Sequence, residues 1–282
     1  MILALMLLAQ IGPLVNPGPS TMPLPQARIE RRASEKPAPA PFVPQSTGKL
    51  GQCLAAADAN PTEAIDIAEA WAMTVKGTPR ADPEECRGVA LSRLLRWGEA
   101  ETAFLGARDA AAASDKVLRA RLGAMAGNAA LAAGSPDRAL TALDLAHADA
   151  LTGSDARLGG DIALDRAQAL VALQRPAEAA TALAEVRNTN PTNALGWLLS
   201  ATLSRRMSKL AEAQAQIEQA ARLLPIDPEI GLEAGVIAVL SGRAEAARRS
   251  WQSVIAAAPD SPSARTAKTY LDQLGPAATV PR

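Results

Sequence analysis

Five times between Gly88 and Val254 the chain repeats one spaced set of residues. A small residue, Gly88, Gly127, Ala167, Ala201 or Gly235, is followed twelve positions later by alanine, at Ala100, Ala139, Ala179, Ala213 and Ala247. Four further on stands a larger apolar side chain: Phe104, Leu143, Leu183, Ile217 and Trp251. Three beyond those come Ala107, Ala146, Val186, Ala220 and Val254, and in the last three copies Pro191, Pro225 and Pro259 follow. The small residue and the alanine mark the point where two antiparallel helices come closest, because a large side chain there would hold their axes apart. The bulky residue fills the groove so created, its successor lies on the same face one turn on, and the proline stops the second helix.

Apolar residues from Lys49 onward recur at helical rather than alternating spacing. Breakers fall at intervals, including Asn60-Pro61, Gly134-Ser135-Pro136, Arg175-Pro176 and Ser241-Gly242, so helices of about a dozen residues joined by short turns are expected. Sixty-four alanines and few large apolar side chains suit closely packed helices better than one deep core. A single hairpin of this kind cannot bury its own apolar face, and neighbours must stack.

This pattern resembles the tetratricopeptide repeat family from about Lys49 to Pro259, most clearly over Ala194 to Asp227, where Trp197, Ala201, Ala213, Ile217, Ala220 and Pro225 fall at the family's spacing. The resemblance implies an all-α, right-handed superhelical solenoid of five to six helix-turn-helix repeats with a C-terminal capping helix. The last two copies are thirty-four residues apart, whereas Gly88, Gly127 and Ala167 are thirty-nine and forty apart, which predicts longer turns near Ala111 to Lys116 and Thr152 to Gly159. The first copy is the poorest, with Gln52 in the small position and Trp71 where a small apolar residue is usual. After Pro259, Ser261 or Ser263 caps a final helix with Ala267, Tyr270, Leu271 and Leu274 on one face, ended by Gly275-Pro276. The organisation read from the sequence is therefore 1–15 apolar leader, 16–48 Pro-rich linker, 49–259 repeat array, 260–275 capping helix and 276–282 tail.

In this family the first helix of each pair lines the inner surface. The residues three before and one after the small position would lie there, among them Val89, Asn128, Leu164, Gln168, Leu198, Thr202, Leu232 and Val236. The Lys, Asn and Arg set with which carboxylate-clamp members grip a peptide terminus is missing. Leu164, Leu198 and Leu232, thirty-four residues apart and flanked by Gln168, Thr202, Arg205 and Val236, form a stripe that either receives the apolar side of a partner segment or packs between neighbouring helices. Cys53 and Cys86 fall on the first helices of neighbouring copies, either bridged or buried as free thiols.

Other functions find little support. Formal charge is zero, 29 Lys+Arg against 29 Asp+Glu, and aromatics are 2 %, which argues against nucleic acid. His147 is the one histidine, and with two cysteines thirty-three residues apart it gives neither a zinc site nor a Ser-His-Asp triad. No phosphate-cradling glycine motif is present, and no cofactor, metal or catalytic residue is expected. An enzyme using carboxylates such as Glu85 and Asp161 is a rival reading. The expected role is a non-catalytic adaptor for a protein or peptide partner, with a membrane-tethered structural assembly factor of an envelope complex as the alternative. Ile2 to Val15, fourteen residues without a charge, fit a secretory signal leading to a periplasmic or otherwise exported protein. A retained anchor and a mis-assigned start on a cytoplasmic protein are the alternatives.

Overall fold

The computed structural model describes residues 48–275, so the leader, most of the Pro-rich linker and the tail lie outside it. Thirteen α-helices and one 3₁₀ turn make up the described residues, which contain no strand. In chain order the helices are α1 Lys49–Ala59, α2 Pro61–Ala72, α3 Ala81–Arg93, α4 Trp97–Ala110, α5 Lys116–Ala132, α6 Pro136–Thr152 and α7 Ala156–Ala172. They continue as α8 Pro176–Thr189, α9 Ala194–Arg206, α10 Leu210–Leu223, α11 Pro228–Leu240, α12 Ala244–Ala257 and α13 Pro262–Leu274. Six hairpins, α1/α2 to α11/α12, and the single helix α13 form an all-α solenoid, organised as two compact units that divide between Ala182 and Leu183.

The spaced pattern is realised as direct contact. A Cβ built on Gly88 would stand 2.5 Å from the Phe104 ring, one on Gly127 would run into the Leu143 side chain, and one on Gly235 into the Trp251 indole. Each glycine meets the bulky residue of its own copy. The small residues one turn earlier do the same for the next residue of the pattern: Gly123 faces Ala146 and Gly231 faces Val254.

Two kinds of turn alternate. Within each of the hairpins α3/α4 to α11/α12, the residue seven after the small position takes a left-handed conformation: Leu95, Gly134, Gln174, Ser208 and Gly242, with φ between 58° and 74°. The next N–H reaches back five residues, as from Arg96 to the Leu91 carbonyl at 2.9 Å and from Arg243 to that of Ala238 at 2.8 Å, which closes the first helix. Between hairpins, a short polar side chain caps the next first helix. Asp115, Asp155, Asn193, Asp227 and Ser261 accept from backbone N–H groups of Leu118, Leu158, Gly196, Glu229 with Ile230, and Ala264.

The longer copies gain most of their length in helix: the turn after α4 is five residues against four after α8, α10 and α12, and the turn after α6 is only three. The connections are 111–115 and 153–155, while α5, α6 and α7 each run to 17 residues against 13 or 14 in the neighbouring hairpins. The added residues extend the hydrogen-bonded ladder and leave few backbone groups to be satisfied elsewhere. An ionic cluster holds these extra turns. Asp149, buried near the end of α6, accepts from Arg108 at 2.7 Å and Lys116 at 3.1 Å, with Arg119 3.6 Å away. Burial pushes the Asp149 carboxyl up, but hydrogen bonds from Lys116 and Arg108 and their charges outweigh it and hold the group below its ordinary value.

The first hairpin is built differently. Gln52 is exposed, a single residue, Asn60, joins α1 to α2, and Trp71 is buried where a small residue was expected to be usual. Cys53 and Cys86 are joined by a disulfide with Cα atoms 6.0 Å apart, in a cluster with Ala68 and Trp71, so the bridge ties α1 to α3. At the other end α13 opens at Ser261, stops at Gly275 with φ 72°, and packs Tyr270 against Trp251 with ring centroids 5.2 Å apart and planes tilted by 49°.

Candidate functional site

The leucine stripe is not an open surface. Leu164 is 1 % exposed and Leu198 7 %, while Thr202 and Val236 are also buried. Leu198 packs with Ala201, Ile217 and Ile230, and Leu232 lies half-buried against the cluster around Trp251. Leu198 shows why: one turn from the closest approach of its hairpin, it shares a cluster with Ile217 of the partner helix and Ile230 of the next hairpin. Arg205 is engaged too, donating from Nε to Glu233 at 2.6 Å with its side chain 10 % exposed. Gln168 keeps partial exposure.

The N-terminal unit offers a cavity instead. About 460 Å³ in volume and largely apolar, it lies among α3, α4 and α5. Val89, Met125 and Asn128 come from the first helices, Trp97 and Phe104 from α4, and Leu95 from the turn between α3 and α4. Val89 and Asn128 are the residues one after the small positions Gly88 and Gly127. Phe104 is therefore shared: its ring fills the groove over Gly88 and also lines the cavity. Leu95 is 65 % exposed and holds φ 59°, a conformation unfavourable for an L-residue with a long side chain.

Polar groups border this surface. Arg93 donates two hydrogen bonds to Asp58, the shorter 2.7 Å, and Asn128 Nδ2 donates to Asp165 at 2.8 Å. One turn before Val89, Glu85 is 3 % exposed and accepts from Arg121 at 3.1 Å. Burial pushes the Glu85 carboxyl above its ordinary value, and the Arg121 charge and hydrogen bond only partly offset this. Asp161, the other carboxylate of the enzyme reading, is exposed on α7. His147 is half-buried. Among the described residues no group of three His, Cys, Asp or Glu is placed to hold a metal, and no helix is long and apolar enough to cross a membrane.

Sequence reasoning placed Val89 and Asn128 on the first-helix surface but missed the cavity. Its signal was Leu95, the large apolar residue at the turn position that holds glycine in two other copies, Gly134 and Gly242.

No family model matches the chain, and no curated protein matches it. Solved structures do. YrrB, described as a TPR protein with an unusual peptide-binding site, superposes with a TM-score of 0.53 at 21 % identity, covering 72 % of this chain and 99 % of its own. PilF of Pseudomonas aeruginosa gives 0.61 at 15 % identity over 79 % of this chain and 96 % of its own. BtubC from P. vanneervenii gives 0.57 at 14 %, covering 83 % and 96 %. The chain has the tetratricopeptide-repeat fold: it is a TPR-like helical solenoid.

Proposed function

We propose that this protein is a non-catalytic scaffold that holds a segment of another protein on the first-helix face of its repeats, with the cavity beside Phe104 as the seat for an apolar side chain. The carrying observation is that cavity, preformed and lined by Val89, Met125 and Asn128 from two successive first helices. A rigid, preformed surface spares a binder the entropy of ordering its own site. The likeness to YrrB, whose description includes a peptide-binding site, supports the reading at the level of fold. Gln168, which keeps partial exposure on α7, extends the proposed contact surface within the N-terminal unit.

A photo-crosslinking residue at Val89 in the native cell tests it. Discrete crosslinked protein partners, lost in a Met125→Glu background that still folds, are the expected result. Absence of any partner, together with turnover of a small substrate by the purified chain, would overturn it.

The proposed compartment is the periplasm or another exported location, with residues 2–15 as a cleaved signal. The disulfide favours this, since such bridges persist mainly in oxidising compartments. N-terminal sequencing of the mature chain checks it. A retained leader in the membrane fraction would instead identify the tethered assembly factor.

A further inference from the structure

Leu95 occupies a left-handed turn position that the other hairpins fill with Gly134, Gln174, Ser208 and Gly242. Glycine or a polar residue suits such a place, exposed and hostile to a β-carbon; Leu95 instead keeps a large apolar side chain mostly in water, beside the partly exposed Leu94. Conformation and solvation both disfavour this residue in a single copy of the chain. A contact with a second molecule would offset them.

The complement of this knob lies next to it. Leu95 stands at the rim of the cavity of about 460 Å³ that Val89, Trp97, Phe104 and Met125 line. A cavity of about 150 Å³ already holds a benzene-sized group, so this one has room for the whole side chain of a leucine and part of its neighbour. A knob on the rim of its own hole makes a surface complementary to itself: across a two-fold axis beside the rim, each Leu95 enters the other copy's cavity, as an isologous interface requires.

The charges agree with this. Arg93, paired with Asp58, and Arg96, paired with Glu99, border the rim, each side chain about half exposed. A border of one sign would repel its symmetry mate. This one balances two cations with two carboxylates, so Arg93 of one copy meets Asp58 of the other. The formal charge of zero adds no long-range repulsion between copies.

We infer that two copies of this chain associate through the α3/α4 turn, Leu95 of each seated in the cavity beside Phe104 of the other. One turn and the rim of one cavity are a small patch against the roughly 800 Å² per partner of a standard stable interface, so this dimer is weak and exchanges with monomer. The inference rests on the cavity being a seat for a partner segment, as proposed above: the dimer is the form in which that seat is closed, and a partner must compete with the second copy.

Sedimentation velocity of the full chain at rising concentration is expected to show a shift from monomer to dimer. A monomer up to near-millimolar concentration would overturn the inference. The contact is read by mixing isotopically heavy wild type with light chain that carries a benzophenone amino acid in place of Leu95. Crosslinks between heavy and light chains at Val89, Trp97 or Met125 are expected; crosslinks confined to one chain, or joining chains at other surfaces, would overturn it. Charge variants probe the symmetry. Arg93→Glu and Asp58→Lys each set like charges across the axis, and each alone is expected to weaken self-association about tenfold. An equimolar mixture of the two is expected to regain it, because every altered charge then faces its opposite. No recovery in the mixture, with both variants melting as wild type does, would overturn the arrangement. If the chain stays monomeric while the Val89 probe captures other proteins, self-association fails and the scaffold reading stands. If chains associate through the cavity and Val89 captures only its own kind, the scaffold reading fails instead.

Discussion

At the residue scale, the architecture depends on a few positions where there is no room for a side chain. Gly127 is closed over by Leu143 and Gly88 by Phe104, in each case by the residue sixteen positions on. Gly127→Leu must force the helices of its hairpin apart, and a loss of about 3 kcal/mol is expected in chemical denaturation. The opposite holds at Leu95. Its left-handed conformation disfavours any β-carbon, and its exposed side chain loses little packing on removal, so Leu95→Gly is expected to raise stability by about 1 kcal/mol. The same substitution should weaken partner capture, which separates the two roles. Asp149 is the reverse case, one carboxylate facing three cations. Asp149→Asn removes the buried anion shared by Arg108, Lys116 and Arg119, leaves Arg108 only the exposed Asp109, and is expected to cost about 3 kcal/mol at neutral pH. Because the folded-state value is depressed, the contribution of Asp149 is full above the unfolded value of about 3.9 and is lost as pH falls through the folded one. Wild type and variant should therefore converge in acid, read by urea titration across pH.

At the scale of elements, the hairpins were legible because close packing writes small, alanine and bulky residues at fixed offsets. The left-handed turns were not, since glycine occupies two of the five positions and Leu95, Gln174 and Ser208 the others. The Asp149 cluster was equally hidden, as Arg108 and Asp149 are 41 residues apart and no local pattern links them. The leucine stripe left two readings open, and burial accounts for its period: Leu164 and Leu198 recur at the repeat spacing because the core recurs at it. The first hairpin, lacking the small residue, relies on covalent attachment. The bridge closes a loop of 33 residues, and Cys53→Ser with Cys86→Ser is expected to lower stability by about 3–4 kcal/mol on loop-entropy grounds. Amide exchange should show the loss mainly in α1 and α2.

At the scale of the molecule, repeat arrays draw stability from each hairpin and its nearest neighbours. A lesion should therefore remain local. Tyr270→Ala removes the ring that covers Trp251 at the C-terminal end and is expected to cost about 2 kcal/mol. Faster exchange is expected over 228–274 and unchanged exchange over 48–132. Fold class was readable from sequence because it is fixed by periodic packing. The cavity was not, because it arises from where side chains of three helices stop short of one another, and no single stretch of sequence records a gap.

The added lengths of α5, α6 and α7 have a consequence of their own. The extra three to four residues at each helix end amount to about one full winding of the backbone, so every later side chain returns to the azimuth it would have had without them. Insertions and deletions in such a chain are thereby quantised. Gains or losses of a whole winding preserve the phase of the contacts downstream, whereas a change of two residues at the same place would rotate an apolar stripe into water.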